Sequence, residues 1–366
     1  GLTCAYYLAK LGHEVHVYEA ENVAGGVLYW GIPEYRLPKD VLAKEVKAIE
    51  QSGVSIHCNV RVGETISFEA LKSQSDAVYV AIGTQQSRTL GIPGEDLPGV
   101  ENGLIFLKRI GLKQNFTVPE RLIVIGGGST AMDVARTAVR LGSKEVTVVY
   151  RRTEREMPAG AEEIQEAREE GIRIITLASP VRIMERGGAV CGIELVKRQL
   201  TDYGSDGRRR SAHIEGSEFV LECDGIITAI NQDVDHKFHQ TTQLDFDGKG
   251  RIDVHQFTSR TSEEGVFAGG DTSPWGANVA VNAIADGKKA AVNIDKYLGG
   301  SGELNMGEWM EIPVIPDMEV TEPHMRFPVR TLPVDERIDN FKEVACGFHK
   351  LDAIGEAFRC LHCDRR

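Results

Sequence analysis

The chain has 366 residues, enough for two domains at roughly 150 residues each. Its 42 Lys and Arg against 54 Asp and Glu leave a net charge of −12, which excludes the basic footprint of a nucleic-acid binder. No apolar run approaches the roughly 20 residues needed to cross a bilayer. What stands out is glycine: 39 of them, clustered where apolar runs end.

In chain order, residues 1–11 carry a helical pattern and 14–18 a strand that ends at Glu19. If Gly1 is the third glycine of a dinucleotide fingerprint, Glu19 lies 18 residues on, close to the spacing of an acidic ribose ligand. That register puts a first strand and two glycines before residue 1. The chain is therefore expected to be a segment of a longer protein. The next apolar run, 76–84, ends at Gly83. Residues 121–126 follow, leading into Gly126-Gly127-Gly128-Ser129-Thr130-Ala131 and then a helix over 130–141. Strand, G-x-G-x-x-A and helix together form the context of a pyrophosphate-binding turn, because glycines admit close backbone approach and the helix N-terminus offers unpaired N–H groups. The following strand, 145–150, ends in Arg151-Arg152, where an NAD site would carry an acid. Two guanidiniums suit a 2′-phosphate, so NADP is expected over NAD.

Residues 160–170 read as a charged amphipathic helix. The segment 182–219 has no α/β texture, and Tyr203 to Arg210 looks like a hairpin tip whose three arginines form a solvated turn. Apolar strands return at 224–230 and 265–271, the latter closing on Gly270-Asp271. Asn278 and Val279 then open a helix over 277–298. An Asp at that strand end can accept a hydrogen bond from a ribityl hydroxyl, and the helix N-terminus can stabilise negative charge on a reduced flavin. Continuous apolar strands alternating with helices argue for an α/β fold with parallel sheets. After a Gly-Ser linker at 299–302 the proline-bearing tail reads as extended, wrapping some other surface, with a short helical pattern at 353–358.

Seven cysteines, odd in number and sparse, do not form a disulfide framework, which fits a cytoplasmic protein. Only Cys360 and Cys363 have ligand spacing, and C-x-x-C is half a metal or iron–sulfur site. A disulfide reductase would need a redox pair following Gly25-Gly26, and none is there. A flavin oxidase with one nucleotide site is disfavoured by the second fingerprint.

Several long strings carry a resemblance. Residues 25–39 read GGVLYWGIPEYRLPK, 126–133 read GGGSTAMD, 150–158 read YRRTEREMP, and Gly270-Asp271 closes the set. Over nearly its whole length the chain resembles the two-dinucleotide-binding flavoproteins, most closely the glutamate synthase small-subunit group. The resemblance implies two Rossmann-like domains, one for FAD and one for NADP, the second inserted in the first. It implies Glu19 on the adenosine ribose, Gly25, Gly26, Leu28 and Arg36 near the flavin, and Asp271 on the ribityl chain. It also implies NADP held by Gly127, Gly128, Ser129, Thr130, Arg151 and Arg152. In that group the cysteine-rich domain precedes the flavin domain, whereas here its entry sits at the C-terminal end, an order that resembles composite electron-transfer subunits.

The expected division is an FAD domain at 1–100 and 256–300, an NADP domain at 101–255, and an extended tail at 301–366. The expected reaction is hydride transfer from NADPH to FAD. Electrons would then pass to an iron–sulfur centre or partner subunit, with a 4Fe-4S cluster completed outside this segment. Alternatives are the flavin subunit of an electron-bifurcating NAD(P)H:ferredoxin-type complex, or a non-catalytic scaffold. No acid–base residue is obligatory, so none is assigned.

Overall fold

The computed structural model describes residues 1–204, 207–230, 232–275, 279–304 and 325–359. At its centre is a five-stranded parallel sheet in the order Val100–Asn102, Gly225–Thr228, Arg121–Ile125, Glu145–Tyr150, Arg173–Thr176. Alternate side chains of one strand serve two different cores, as the period of two requires. Leu122 and Val124 pack with Ala131, Val134, Ala135 and Ala138 of the helix Ser129–Arg140. Ile123 and Ile125 pack with Ile183, Ile193 and Leu195 on the opposite face. Both faces are covered, which is why the sequence shows unbroken apolar runs there.

The opposite cover is the segment without α/β texture. It folds as a three-stranded antiparallel sheet, Ala178–Arg186, Ala189–Tyr203 and Arg209–Glu222. The second and third strands are joined at the expected hairpin, with Ser205 and Asp206 of its tip outside the described residues.

The first unit is built from both ends of the described chain. Val15–Tyr18 pairs in parallel with Val54–His57, and Val78–Val80 in parallel with Val266–Ala268. Parallel neighbours need a crossover, and the crossover from Val80 to Val266 contains the whole five-stranded unit. The helix Ala280–Tyr297 lies against Leu2–Lys10, so closely that a Cβ on Gly287 would stand 3.0 Å from Thr3 Cβ. Cys4, Phe267, Ala290, Ala291 and Ile294 fill the space between them.

Past the last strand of the five-stranded sheet, Phe238, Leu244, Ile252 and Val254 pack with Phe68, Val80, Val266 and Ala268 of the first unit. These residues follow the last strand of the five-stranded sheet and lack strand periodicity, so composition alone does not assign them. The two connectors between the units run side by side: Gln86–Ser87 pairs antiparallel with Gln232–Asp233, and Arg88 makes a bidentate pair with Asp233 at 2.7 and 2.8 Å.

The units also meet at a buried polar seam. Tyr35 is fully buried, with the guanidiniums of Arg136 and Arg140 at 4.9 and 4.0 Å from its ring centre. Nearby, Gly111 leaves no room for a side chain against the backbone of Trp30. The tail closes this seam. Val344 N–H donates to Tyr35 O at 2.9 Å, and Arg337, 1 % exposed, reaches Glu169 and Glu170 at 2.8 and 3.0 Å. The surface that the described tail wraps is this chain's own.

Candidate active site: two nucleotide crevices

The first crevice lies at the C-terminal edge of the five-stranded sheet, where open α/β sheets bind ligands. Gly126 has φ +153° and its N–H donates to Val149 O at 3.1 Å; a Cβ there would collide with Ala229 O. A Cβ on Gly127 would lie 2.5 Å from the Tyr150 ring. That ring is itself pinned, since Tyr150 Oη donates to Glu156 O at 2.7 Å. Gly128 caps the helix Ser129–Arg140, and no side chain takes the N–H groups of its first turn. The loop is therefore a backbone-lined cradle, the donor set that a pyrophosphate needs. Thr130 is half-buried beside it. Ser129 is turned aside: its hydroxyl donates to Glu163 Oε2 at 2.9 Å. Arg151 is exposed and Arg152 buried at the end of the next strand. Tyr150 and Glu163, which shape this cradle, were not singled out from sequence. A G-x-G pattern is defined by what may approach it and carries no record of what lies beneath it.

The second crevice gathers residues some 270 positions apart. Gly1 lies beside Ala81, and Gly83 N–H donates to Thr272 Oγ1 at 2.8 Å. Gly270, with φ +70°, donates its N–H to Asp286 Oδ2 at 3.0 Å. Asp271 sits in the same short turn, Gly270–Thr272. Val279 precedes the helix Ala280–Tyr297, and Val279, Val281 and Ile284 leave an apolar stripe more than half exposed at its start. Asn278 lies outside the described residues. Glu19 sits past the end of Val15–Tyr18 and accepts the Glu21 N–H at 2.9 Å; burial pushes its carboxyl above the usual range. Gly25 and Gly26 have φ of +131° and +56°, backbone that side chains disfavour. They open a short helix, Val27–Trp30, on which Leu28 lies. Lys39 Nζ caps it by donating to Leu28 O and Ile32 O at 3.1 and 2.5 Å, and burial pushes that amine down to about 8. The glycine cradle, the acidic strand end and the bare apolar stripe fit a dinucleotide whose ring is apolar on its faces.

Arg36, expected near the flavin, also reaches across to the other unit. Its guanidinium is taken by Asp133 at 2.8 and 2.9 Å and by Glu163 at 2.6 Å, on the helices that follow the first crevice's loop. Two carboxylates on the neighbouring unit outbid a solvated position, so Arg36 joins the units. Cys360 and Cys363 lie outside the described residues. Among the described residues no three or more His, Cys, Asp or Glu are grouped to hold a metal, and no helix is long and apolar enough to cross a membrane.

Thr272 offers a direct check on the second crevice. Thr272→Val removes the acceptor of the Gly83 N–H, and an orphaned buried donor costs about 1–3 kcal/mol. The expected result is a protein that loses flavin on gel filtration faster than the parent; equal flavin retention would contradict the placement.

Two strand-end crevices, each with a glycine turn and a helix N-terminus, define an oxidoreductase with separate FAD and NADP sites. The chain belongs to the pyridine nucleotide-disulphide oxidoreductase family, whose profile matches residues 1–287, and its curated relatives include glutamate synthase small chains. It is 39 % identical to the beta subunit of the NADP(+)-dependent formate dehydrogenase of Moorella thermoacetica, over 100 % of this chain and 53 % of that protein. It is 37 % identical to a putative glutamate synthase [NADPH] small chain of Cereibacter sphaeroides, over 81 % of this chain and 74 % of that one. Among solved structures, FprA of Mycobacterium tuberculosis in complex with NADPH superposes with a TM-score of 0.69 at 20 % identity, over 81 % and 82 % of the two chains, which speaks for the fold. The chain spans little more than half the length of the formate dehydrogenase subunit.

Proposed function

We propose that this chain takes a hydride from NADPH onto FAD and hands the electrons on to an iron–sulfur centre or partner subunit. The observation that supports it is the presence of both crevices on one chain, with the units braced by Arg36, Tyr35 and the returning tail. In this reading Gly126, Gly127, Gly128 and Thr130 cradle the NADPH pyrophosphate, and Arg151 and Arg152 take the 2′-phosphate. Ser129 contributes its backbone N–H, because its hydroxyl is engaged by Glu163. Gly1, Gly25, Gly26, Gly83 and Gly270 line the FAD, with Glu19 on its adenosine ribose, Asp271 on its ribityl chain, and Leu28, Val279 and Asn278 beside its ring. Bound FAD supplies a ring that accepts a hydride and can release electrons singly. The chain's own part is to hold two nucleotides in fixed relation and to offer a helix N-terminus to developing negative charge.

The partner reading is supported by relatives named as subunits, the formate dehydrogenase beta subunit among them. Cys360 and Cys363 are the proposed link to the acceptor cluster. The cytoplasm is the proposed compartment, in line with free thiols at Cys4, Cys58, Cys191, Cys223 and Cys346. Anaerobic addition of NADPH to the flavin-loaded protein is expected to bleach the flavin band near roughly 450 nm. FAD that stays oxidised in the presence of NADPH would reduce the chain to a scaffold.

A further inference from the structure

A third guanidinium reaches the corner occupied by Arg151 and Arg152, and it comes from outside the nucleotide-binding unit's parallel sheet. Leu177 ties the antiparallel sheet to the end of the Glu145–Tyr150 strand. Leu177 donates its N–H to Arg152 O at 3.0 Å, and its own carbonyl accepts the Arg198 N–H at 2.8 Å. Leu177 has φ +55°, a left-handed conformation that residues with a side chain disfavour. The fold tolerates that strain where it sets Arg152 and Arg198 on either side of one residue.

The Arg198 side chain is half-buried, and among the described residues it is held by neutral acceptors. Nε donates to Ser211 Oγ at 2.8 Å, Nη1 to Ser179 Oγ at 3.1 Å, and Nη2 to Ser211 O. These use three of the five N–H donors of a guanidinium. Among the described residues no carboxylate pairs with Arg198 or Arg151. Burial, then the charges of Arg151 and Arg152, press Arg198 below the ordinary guanidinium value. The neighbouring ion pairs of this protein show the usual alternative: Arg182, on the same sheet, is matched by Glu194 at 2.8 Å. Arg198 thus brings a guanidinium, held by Ser179 and Ser211, to the strand end where a nucleotide ribose lies in this fold.

We infer that Arg198 is a specificity residue for the 2′-phosphate of NADPH, presented to the nucleotide site by the antiparallel sheet through Leu177. The inference rests on the NADP reading of Arg151 and Arg152 given above. A phosphate monoester dianion matches the fork geometry of a guanidinium and the charge gathered there. Ser179 and Ser211 act as positioning residues, holding one edge of the guanidinium.

The test is binding to the purified protein, measured by calorimetry, of adenosine 2′,5′-bisphosphate against adenosine 5′-monophosphate. The variants are Arg198→Ala, Arg198→Lys and Arg151→Ala. Arg198→Ala is expected to weaken the bisphosphate by roughly tenfold or more, the scale of one charge-assisted hydrogen bond, with the monophosphate within about twofold. Arg198→Lys is expected to fall between, and the KM for NADPH in flavin reduction to rise while that for NADH holds. Parallel weakening of both ligands by Arg198→Ala, or no weakening of either, while Arg151→Ala weakens the bisphosphate alone, would make Arg198 a structural residue and overturn the inference. If Arg151→Ala also leaves the parent's discrimination intact, the NADP reading beneath it falls, and the inference with it.

Discussion

Replacing Glu170 with glutamine is expected to destabilise the protein by about 3–5 kcal/mol, the usual cost of removing one partner from a buried ion pair. The Glu170 side chain is fully buried and meets three guanidiniums. Arg136 donates to it at 3.0 and 2.7 Å, Arg140 at 2.6 and 3.0 Å, and Arg337 lies at 3.0 Å. Arg136 and Arg140 come from the helix behind the Gly126 loop, Arg337 from the tail, and Tyr35 of the first unit lies against both helix arginines. One carboxylate therefore neutralises charges from two segments that enclose a third. Glutamine keeps the shape and loses the charge, leaving buried guanidiniums under-compensated.

The pH dependence follows with a definite sign. Burial alone would raise the Glu170 carboxyl, but hydrogen bonds from Arg140 and Arg136 outweigh it, and the net position is below the ordinary value of 4.5. A folded-state value below the unfolded one means stability is present above the unfolded value and is lost as pH falls through the folded one. The parent should lose this contribution in acid, below the usual glutamate range. Glu170→Gln should already lack it and be flatter there. Urea unfolding at a series of pH values measures both. A second readout is proteolysis: cleavage within 325–359 should accelerate in the variant. A variant within about 1 kcal/mol of the parent, cleaved at the parent's rate, would show that the node is not a keystone.

Gly127→Ala is expected to abolish most NADPH-driven flavin reduction while leaving FAD in place. The added Cβ would stand 2.5 Å from the Tyr150 ring, closer than real Cβ contacts allow. The ring cannot retreat, because its hydroxyl is fixed to Glu156 O and its face is part of the helix-side core. The loop must move instead. A misplacement of about 1 Å costs on the order of a hundredfold when reacting atoms must be held near contact. Rapid-mixing reduction by NADPH, with dithionite reduction as control, measures this. Pairing the change with Tyr150→Ala should restore part of the rate by returning the space. Reduction of Gly127→Ala at the parent rate would show that the loop does not bind the nucleotide as described.

Local signals carried much of this protein in plain view. The strand Glu145–Tyr150 and the helix after the Gly126 loop announce themselves by apolar periodicity and by glycines that only certain backbone angles require. Arg151-Arg152 suggests a phosphate site from strand-end position and charge sign alone, and that assignment is part of the proposal above. The apolar strands on either side of the insertion were legible as strands. Their pairing, Val78–Val80 with Val266–Ala268, rested on resemblance rather than on any local pattern.

Other features depend on pairs of residues far apart in the chain. Arg36 reads as a flavin neighbour in its own segment, and only Asp133 and Glu163, some 97 and more positions on, turn it toward the other unit. The same holds for Arg337 with Glu170, for Phe238 to Val254 returning to the first unit, and for Arg198 beside Arg152. Apolar periodicity and glycine placement are set by each residue's own backbone and its near neighbours, so the sequence alone determined such elements as the strands Arg121–Ile125 and Glu145–Tyr150 and the helix Ser129–Arg140. A buried charge is tolerable only where an opposite charge arrives through space. Which arginine braces the units and which seals the tail was decided by the tertiary structure.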